Sequence, residues 1–122
     1  MSGERIVYKI CGHDEWATAV SAGRYDGSAD DRRDGFIHFS TAAQLTGTLA
    51  RHFRDRGDLV LIAFESASLG PALTWEPSRG GALFPHLYGP LDPSLAQPPV
   101  PLSLGADGTP HLPASFTTNT GN

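Results

Sequence analysis

This chain has no means of cross-linking itself. Cys11 is its one cysteine, so an internal disulfide is excluded and a reducing compartment is suggested. Long apolar runs are missing as well. No stretch has the length of a membrane span, and Met1-Ser2-Gly3-Glu4-Arg5 leads into an apolar strand without the pattern of a signal peptide. The expectation is a cytoplasmic protein with no membrane partner. Lysine is scarce too: eight of the nine basic residues are arginine, and the formal charge is −4. With acids in excess and no dominant basic patch, duplex nucleic acid is excluded as a main partner. What remains is an ordinary composition, 39% hydrophobic and 18% charged over 122 residues. That is enough for one core and too little for a second independent one.

The most informative stretch is Asp34-Gly35-Phe36-Ile37-His38-Phe39-Ser40-Thr41-Ala42-Ala43-Gln44. Phe36 to Ser40 reads as a strand, and alternation puts Phe36, His38 and Ser40 on one face with Ile37 and Phe39 on the other. A strand buried on both faces is normally aliphatic throughout, yet this one carries an imidazole and a hydroxyl on the same side. Thr41 to Gln44 has the spacing of a capping box at a helix start. Polar groups and a helix N-terminus thus meet at the end of one strand, where a polar or anionic ligand fits. The plain structural account is a surface histidine followed by an ordinary cap.

Along the chain, Ile6 to Cys11 reads as a first, central strand. Asp14 is placed to cap a helix over Glu15 to Ala22, with Trp16, Ala19 and Val20 on its packed face and Gly23 as its stop. Arg24 to Asp34 shows no periodicity and reads as a loop, its run Asp30-Asp31-Arg32-Arg33-Asp34 as a solvated charge cluster in preference to a metal or phosphate site. A helix is expected from Ala42 to about Arg54, with Leu45, Leu49 and Phe53 as its apolar stripe and His52 at the surface. Gly57 ends it. Leu59 to Phe64 is almost continuously apolar and reads as the central buried strand. Leu73 to Glu76 forms another short strand, closed by Pro77. In Leu83 to Pro90, Phe84, His86 and Tyr88 share one face, while Pro85 marks an edge strand or a bulge. Val100 to Leu104 is expected as a last strand. Residues 105–122, rich in Gly, Pro, Thr and Asn, are expected as a loosely ordered tail behind a single domain at 5–104.

The candidate chemistry rests on His38, Ser40, Glu76, His86 and Tyr88, with Tyr8 and Trp75 as ring platforms. His38 and His86 each have an aromatic neighbour on their own face, so they are expected to line one pocket. A Ser–His–carboxylate triad has its residue types, but Ser40 lacks a glycine-flanked elbow. Zinc would draw on Cys11, His13, His38 and His86, yet no paired motif completes the set, and no metal is expected. Binding of a nucleotide or sugar phosphate uses these residue types most economically, with imidazoles and hydroxyls on phosphate or ribose oxygens and Glu76 on a hydroxyl.

Three motifs in order, Asp34 to Gln44, Trp75-Glu76, and Phe84-Pro85-His86-Leu87-Tyr88-Gly89-Pro90-Leu91, make the chain resemble a family of small bacterial and plant proteins. That family is known only as a domain of unknown function, and its members look like ADP-ribosyltransferase folds. The resemblance covers roughly residues 5–104. It implies an α+β domain with a split mixed β-sheet and short helices, and a cleft between the sheet halves that takes NAD or an ADP-ribosylated group. On that likeness His38, Ser40 and Thr41 match a middle-strand element and Glu76 a catalytic glutamate, with Glu65 in reserve, while the first strand offers Tyr8 and Lys9 where relatives carry Arg or His. The implied site is catalytic at Glu76, His38 and His86 and ligand-binding at Tyr8, Ser40, Thr41, Gln44, Trp75 and Tyr88. The expected function is a small enzyme acting on NAD or an ADP-ribosyl or phosphoribosyl substrate. A non-catalytic nucleotide-binding or interaction domain is the alternative.

Overall fold

A computed structural model describes residues 4–113 and residue 116. Its first strand, β1 (Ile6–Gly12), runs antiparallel to β3 (Leu59–Glu65), which is flanked on its other side by the short β6 (Val100–Pro101). The apolar run of β3 has a direct cause. Val60, Ile62 and Phe64 face one apolar cluster with Val7, Trp16 and Leu87, whereas Leu59 and Leu61 face a second with Ile10, Leu45 and Leu49. A strand covered on both sides has no polar position to fill, and each buried large side chain contributes about 1.5–3 kcal/mol.

A second sheet has the order β2 (Ile37–His38), β5 (Leu83–Leu87), β4 (Leu73–Pro77). The five-residue strand expected at Phe36 to Ser40 pairs in a regular ladder only at Ile37 and His38. Its continuation crosses over instead, and Ser40 exchanges backbone hydrogen bonds with Tyr8 at 2.8 and 2.9 Å. This short bridge joins the two sheets. Every ladder among the described residues is antiparallel, so the implied mixed sheet is corrected to antiparallel sheets in one α+β domain.

Pro85 lies in a middle strand, not at an edge or in a bulge. Its missing N–H points toward β2, whose ladder has already ended there. The contact there is a single bond, Phe39 N–H donating to the Pro85 carbonyl at 3.0 Å, so the proline forgoes only the second bond of one pair.

The helices depart from expectation in instructive ways. Helix α1 (His13–Ala22) starts two residues early and is capped by Gly12, not Asp14, with Glu15 accepting from the Gly12 N–H at 3.3 Å. Trp16 and Ala19 are buried, whereas Val20 is 55% exposed and belongs to no packed face. The helix expected from Ala42 to Arg54 is a 3₁₀ turn, Ala42–Gln44, followed by α3 (Leu45–His52). The segment read as a loop contains α2 (Ala29–Asp34).

At the far end, the expected strand Val100 to Leu104 divides between two sheets, because β7 (Ser103–Leu104) leaves β6 and pairs with β8 (Pro110–His111). The boundary drawn after residue 104 therefore falls inside a hairpin. Beyond it Phe116 meets the Tyr8 ring edge-on at 5.5 Å. The rest of that expected tail, 114–115 and 117–122, lies outside the described residues. Among the described residues no helix is long and apolar enough to cross a membrane.

Candidate functional site

A pocket of about 260 Å³ opens where β1, the 38–40 crossover, β5, α2 and α3 converge. His38 and His86 face each other across the β2–β5 ladder, with ring centroids 5.6 Å apart and planes at 69°. Phe36 stacks on His86 at 4.0 Å and contacts His38 at 4.7 Å, so one phenyl ring fixes both imidazoles from the same side.

Each imidazole is oriented by a carboxylate. His86 Nδ1 is 2.7 Å from Glu76 Oε1, which also accepts from the Tyr88 hydroxyl at 2.8 Å. The His86 and Tyr88 bonds hold the Glu76 carboxyl below its ordinary range, so it is an ionised acceptor and His86 Nδ1 carries the proton. That leaves Nε2 as the unprotonated nitrogen of the neutral His86 ring. His38 is gripped at both ends, Nδ1 to Asp31 Oδ1 at 2.6 Å and Nε2 to Asp34 Oδ2 at 3.0 Å. The Nδ1 contact is a hydrogen bond, and Asp34 brings a second carboxylate against the opposite nitrogen.

The buried centre is Asp31, only 2% exposed. Lys9 Nζ donates to its Oδ2 at 2.7 Å and to the His38 carbonyl at 3.0 Å. Burial by itself pushes the Asp31 carboxyl up. The His38 hydrogen bond, together with the charge and hydrogen bond of Lys9, outweighs burial and holds it well below the carboxylate range. Local backbone chemistry puts the carboxylate there. Asp31 N–H donates to Ser28 Oγ at 3.1 Å and Ser28 N–H donates to Asp31 Oδ2 at 2.9 Å, a reciprocal cap that starts α2. Gly27 passes so close that an added Cβ would sit 2.7 Å from Asp31 Cβ, at a φ of +106°.

Of the residues expected at the site, His38, His86, Tyr8 and Ser40 line this pocket. Ser40 spends its hydroxyl on Thr48 Oγ1 at 3.0 Å. Glu76 and Tyr88 stand behind His86 and do not line the pocket. Trp75 packs against the first apolar cluster. Gln44 is committed to the backbone, accepting from Thr41 N–H at 3.0 Å and donating to the Leu83 carbonyl at 2.8 Å. Thr41 is not among the lining residues either. Glu65 pairs with Arg5 at 2.9 Å, far along the first sheet.

The zinc set does not assemble. Burial, then the Glu15 charge, pushes the Cys11 thiol up to about 12, and His13 is exposed against Asp14. Among the described residues no group of His, Cys, Asp and Glu is arranged to hold a metal ion.

Sequence reasoning set Asp31 and Asp34 aside as solvated charges and gave Lys9 no partner. Two signals pointed to them. Lys9 is the chain's only lysine and interrupts an apolar strand, and Ser28 to Asp31 has capping-box spacing.

Residues 10–96 match the family described as "Protein of unknown function (DUF952)". In solved structures, the chain is 49% identical to protein CC0527 from Caulobacter crescentus in its X-ray form, over 87% of this chain and 93% of that one, with a TM-score of 0.84. Against the solution NMR structure of CC0527 the identity is 50%, the coverage 86% and 90%, and the TM-score 0.77. No curated protein matches the chain. The chain belongs to the DUF952 family.

Proposed function

We propose that this member of the DUF952 family is a small cytoplasmic enzyme acting on a ribosyl or phosphoribosyl group, carried by NAD, by an ADP-ribosylated molecule or by a phosphoribosyl substrate. One observation carries the reading. Two imidazoles stand opposite each other in one pocket, and each has its Nδ1 held by a carboxylate. Carboxylate-oriented histidines are the groups that take and give protons near neutral pH.

In this reading His86 is the catalytic residue. Its Nε2 takes a proton from an attacking hydroxyl or water, or returns one to a leaving group. Glu76 is a positioning residue that fixes the His86 tautomer through Nδ1 and stabilises the imidazolium as it forms. It acts through His86, which differs from the direct ribose contact that the sequence resemblance implies. His38, its Nδ1 held by Asp31, turns its other nitrogen toward the anionic group of the ligand.

Pocket size narrows the choice. About 260 Å³ is at or below the small end of ligand sites, so it suits a ribose with one phosphate, or one end of a dinucleotide, better than a whole NAD. Two sheets joined at the Tyr8–Ser40 bridge, with the pocket at their junction, support the ADP-ribosyltransferase-like assignment. The working unit in this reading is a single domain that begins near residue 5 and includes the β7–β8 hairpin beyond residue 104.

A second reading has its own support. His38 and Lys9 are already satisfied by internal carboxylates, as in a non-catalytic binding domain that keeps the cleft. Thermal-shift titration separates the two, since a ligand bound only by the folded state raises its melting temperature. Stabilisation by NAD, ADP-ribose or ribose 5-phosphate, with turnover that disappears in His86→Ala, is the expected result. Binding that leaves every ligand chemically unchanged favours the binding domain. No stabilisation by any of the three at millimolar concentration removes the ribosyl reading.

A further inference from the structure

Asp34 is oddly placed for a structural acid. It is the last residue of α2, at the end where backbone carbonyls concentrate partial negative charge and a carboxylate is disfavoured. Arg33 and the His38 ring converge on it from the pocket wall. Arg33 Nε donates to Oδ1 at 3.1 Å, and His38 Nε2 lies 3.0 Å from Oδ2. The Asp34 side chain is 34% exposed, and Gly35 follows it in the left-handed conformation at φ +88° with open space around its α-carbon. Asp31, which shares the same imidazole, is fixed by its cap and by Lys9. Asp34 is the partner that is free to leave.

We propose that Asp34 is an internal stand-in for the anionic group of the ligand, and that the His38 Nε2–Arg33 position is a subsite for a phosphate or phosphate ester. This names the anionic subsite of the pocket read above as ribosyl-binding, and it rests on that reading for the rest of the ligand. The donor geometry favours the exchange. Asp34 lies between Arg33 and the His38 ring on the pocket wall. Its rotation toward solvent frees Arg33 Nε and His38 Nε2, two groups that already meet an oxyanion in carboxylate form. Phosphate offers more acceptor oxygens and more charge than the carboxylate it displaces. Arg33 keeps Asp30 Oδ1 at 3.1 Å, which holds the guanidinium in place during the exchange. Asp34 therefore sets a selectivity threshold, because weakly charged ligands do not displace it. Apparent affinity falls by the fraction of time that it occupies the subsite.

The test uses the full chain and inorganic phosphate as probe, followed by NMR of the His38 ring nitrogens and the Asp34 carboxyl carbon. Phosphate is expected to shift both signals together in the parent protein. Asp34→Asn, which keeps the shape and removes the competing charge, is expected to bind phosphate roughly tenfold tighter. Arg33→Gln should bind it more weakly. The proposal is overturned if phosphate leaves the His38 signals unmoved, or if Asp34→Asn binds no tighter than the parent. Should Asp34→Asn fail to fold, the parent titration still decides, since His38 shifting without Asp34 contradicts displacement. Phosphate exchange at His38 without binding of NAD, ADP-ribose or ribose 5-phosphate would retain the subsite and discard the ribosyl reading. Ribosyl turnover with an unmoved Asp34 would do the reverse.

Discussion

Lys9 and Asp31 form a buried ion pair at 2.7 Å, their side chains only 5% and 2% exposed. Removing two charges from water costs several kcal/mol, and mutual attraction offsets this only when the other hydrogen-bonding positions are also filled. They are filled here. The His38 ring, the His38 N–H and the Ser28 N–H complete the carboxylate, and the His38 carbonyl takes a second bond from the ammonium. Breaking the pair from one side should cost about 3–5 kcal/mol. Asp31→Asn is expected to lose stability on that scale in chemical denaturation. A loss under about 1 kcal/mol would show that the pair contributes little.

Acid should find the same residue. Because the Asp31 carboxyl is held below its ordinary 3.8 in the folded state, its contribution is complete above the unfolded value and is lost as pH falls toward the folded one. The melting temperature should change little through Asp31 between pH 7 and about 5, then drop increasingly below about pH 4. Lys9→Met removes one source of the depression, so its acid slope should be shallower than the parent's. Parallel slopes in the two proteins would assign the acid loss to other carboxylates.

Gly27 tests the cradle without altering charge. A methyl group there meets Asp31 Cβ and forces a backbone angle that side chains rarely adopt. Gly27→Ala should destabilise by about 1–3 kcal/mol and disturb the His38 ring signals, which an ordinary loop substitution would leave alone.

The acid–base assignment predicts a graded pair of variants. His86→Ala should lower turnover by about 10²–10⁴-fold. Glu76→Gln should have a smaller effect and displace the pH–rate profile, since the carboxylate works only by orienting His86. Equal losses with an unchanged profile would place Glu76 on the substrate itself.

Truncation after Leu104 gives a fifth test. It removes β8 from its hairpin, two bonds from Arg54 to residues 107 and 109, and the Phe116 ring from Tyr8. Composition alone suggests a change below about 1 kcal/mol, typical of a dispensable tail. The contacts point to about 1–3 kcal/mol instead, with a pocket loosened at Tyr8. Differential scanning calorimetry distinguishes the two.

Much of the fold was legible where one physical force acted alone. The apolar run of β3, the alternation at Phe36 to Ser40 and the stripe Leu45, Leu49 each report burial directly, and burial is what sequence patterns record. Helix α2 was not legible in that way. Its six residues, Ala-Asp-Asp-Arg-Arg-Asp, carry no apolar stripe, and the helix depends on its Ser28 cap, its Gly35 stop and the side chains that Asp31 meets across the pocket. A run of charges looks solvated until a distant strand supplies the partner. Pro85 misled for a related reason, because a ladder that ends early makes a middle strand locally an edge. The histidine pair was readable from alternation; the carboxylates behind it needed the fold.

The buried lysine also makes the protein its own unfolding reporter. Lys9 bears the chain's only side-chain amine and is 4% exposed. An acylating reagent can modify that amine only when β1 opens and the ion pair separates. The rate of acylation at this one atom would therefore time the openings of the pocket wall, with no engineered probe.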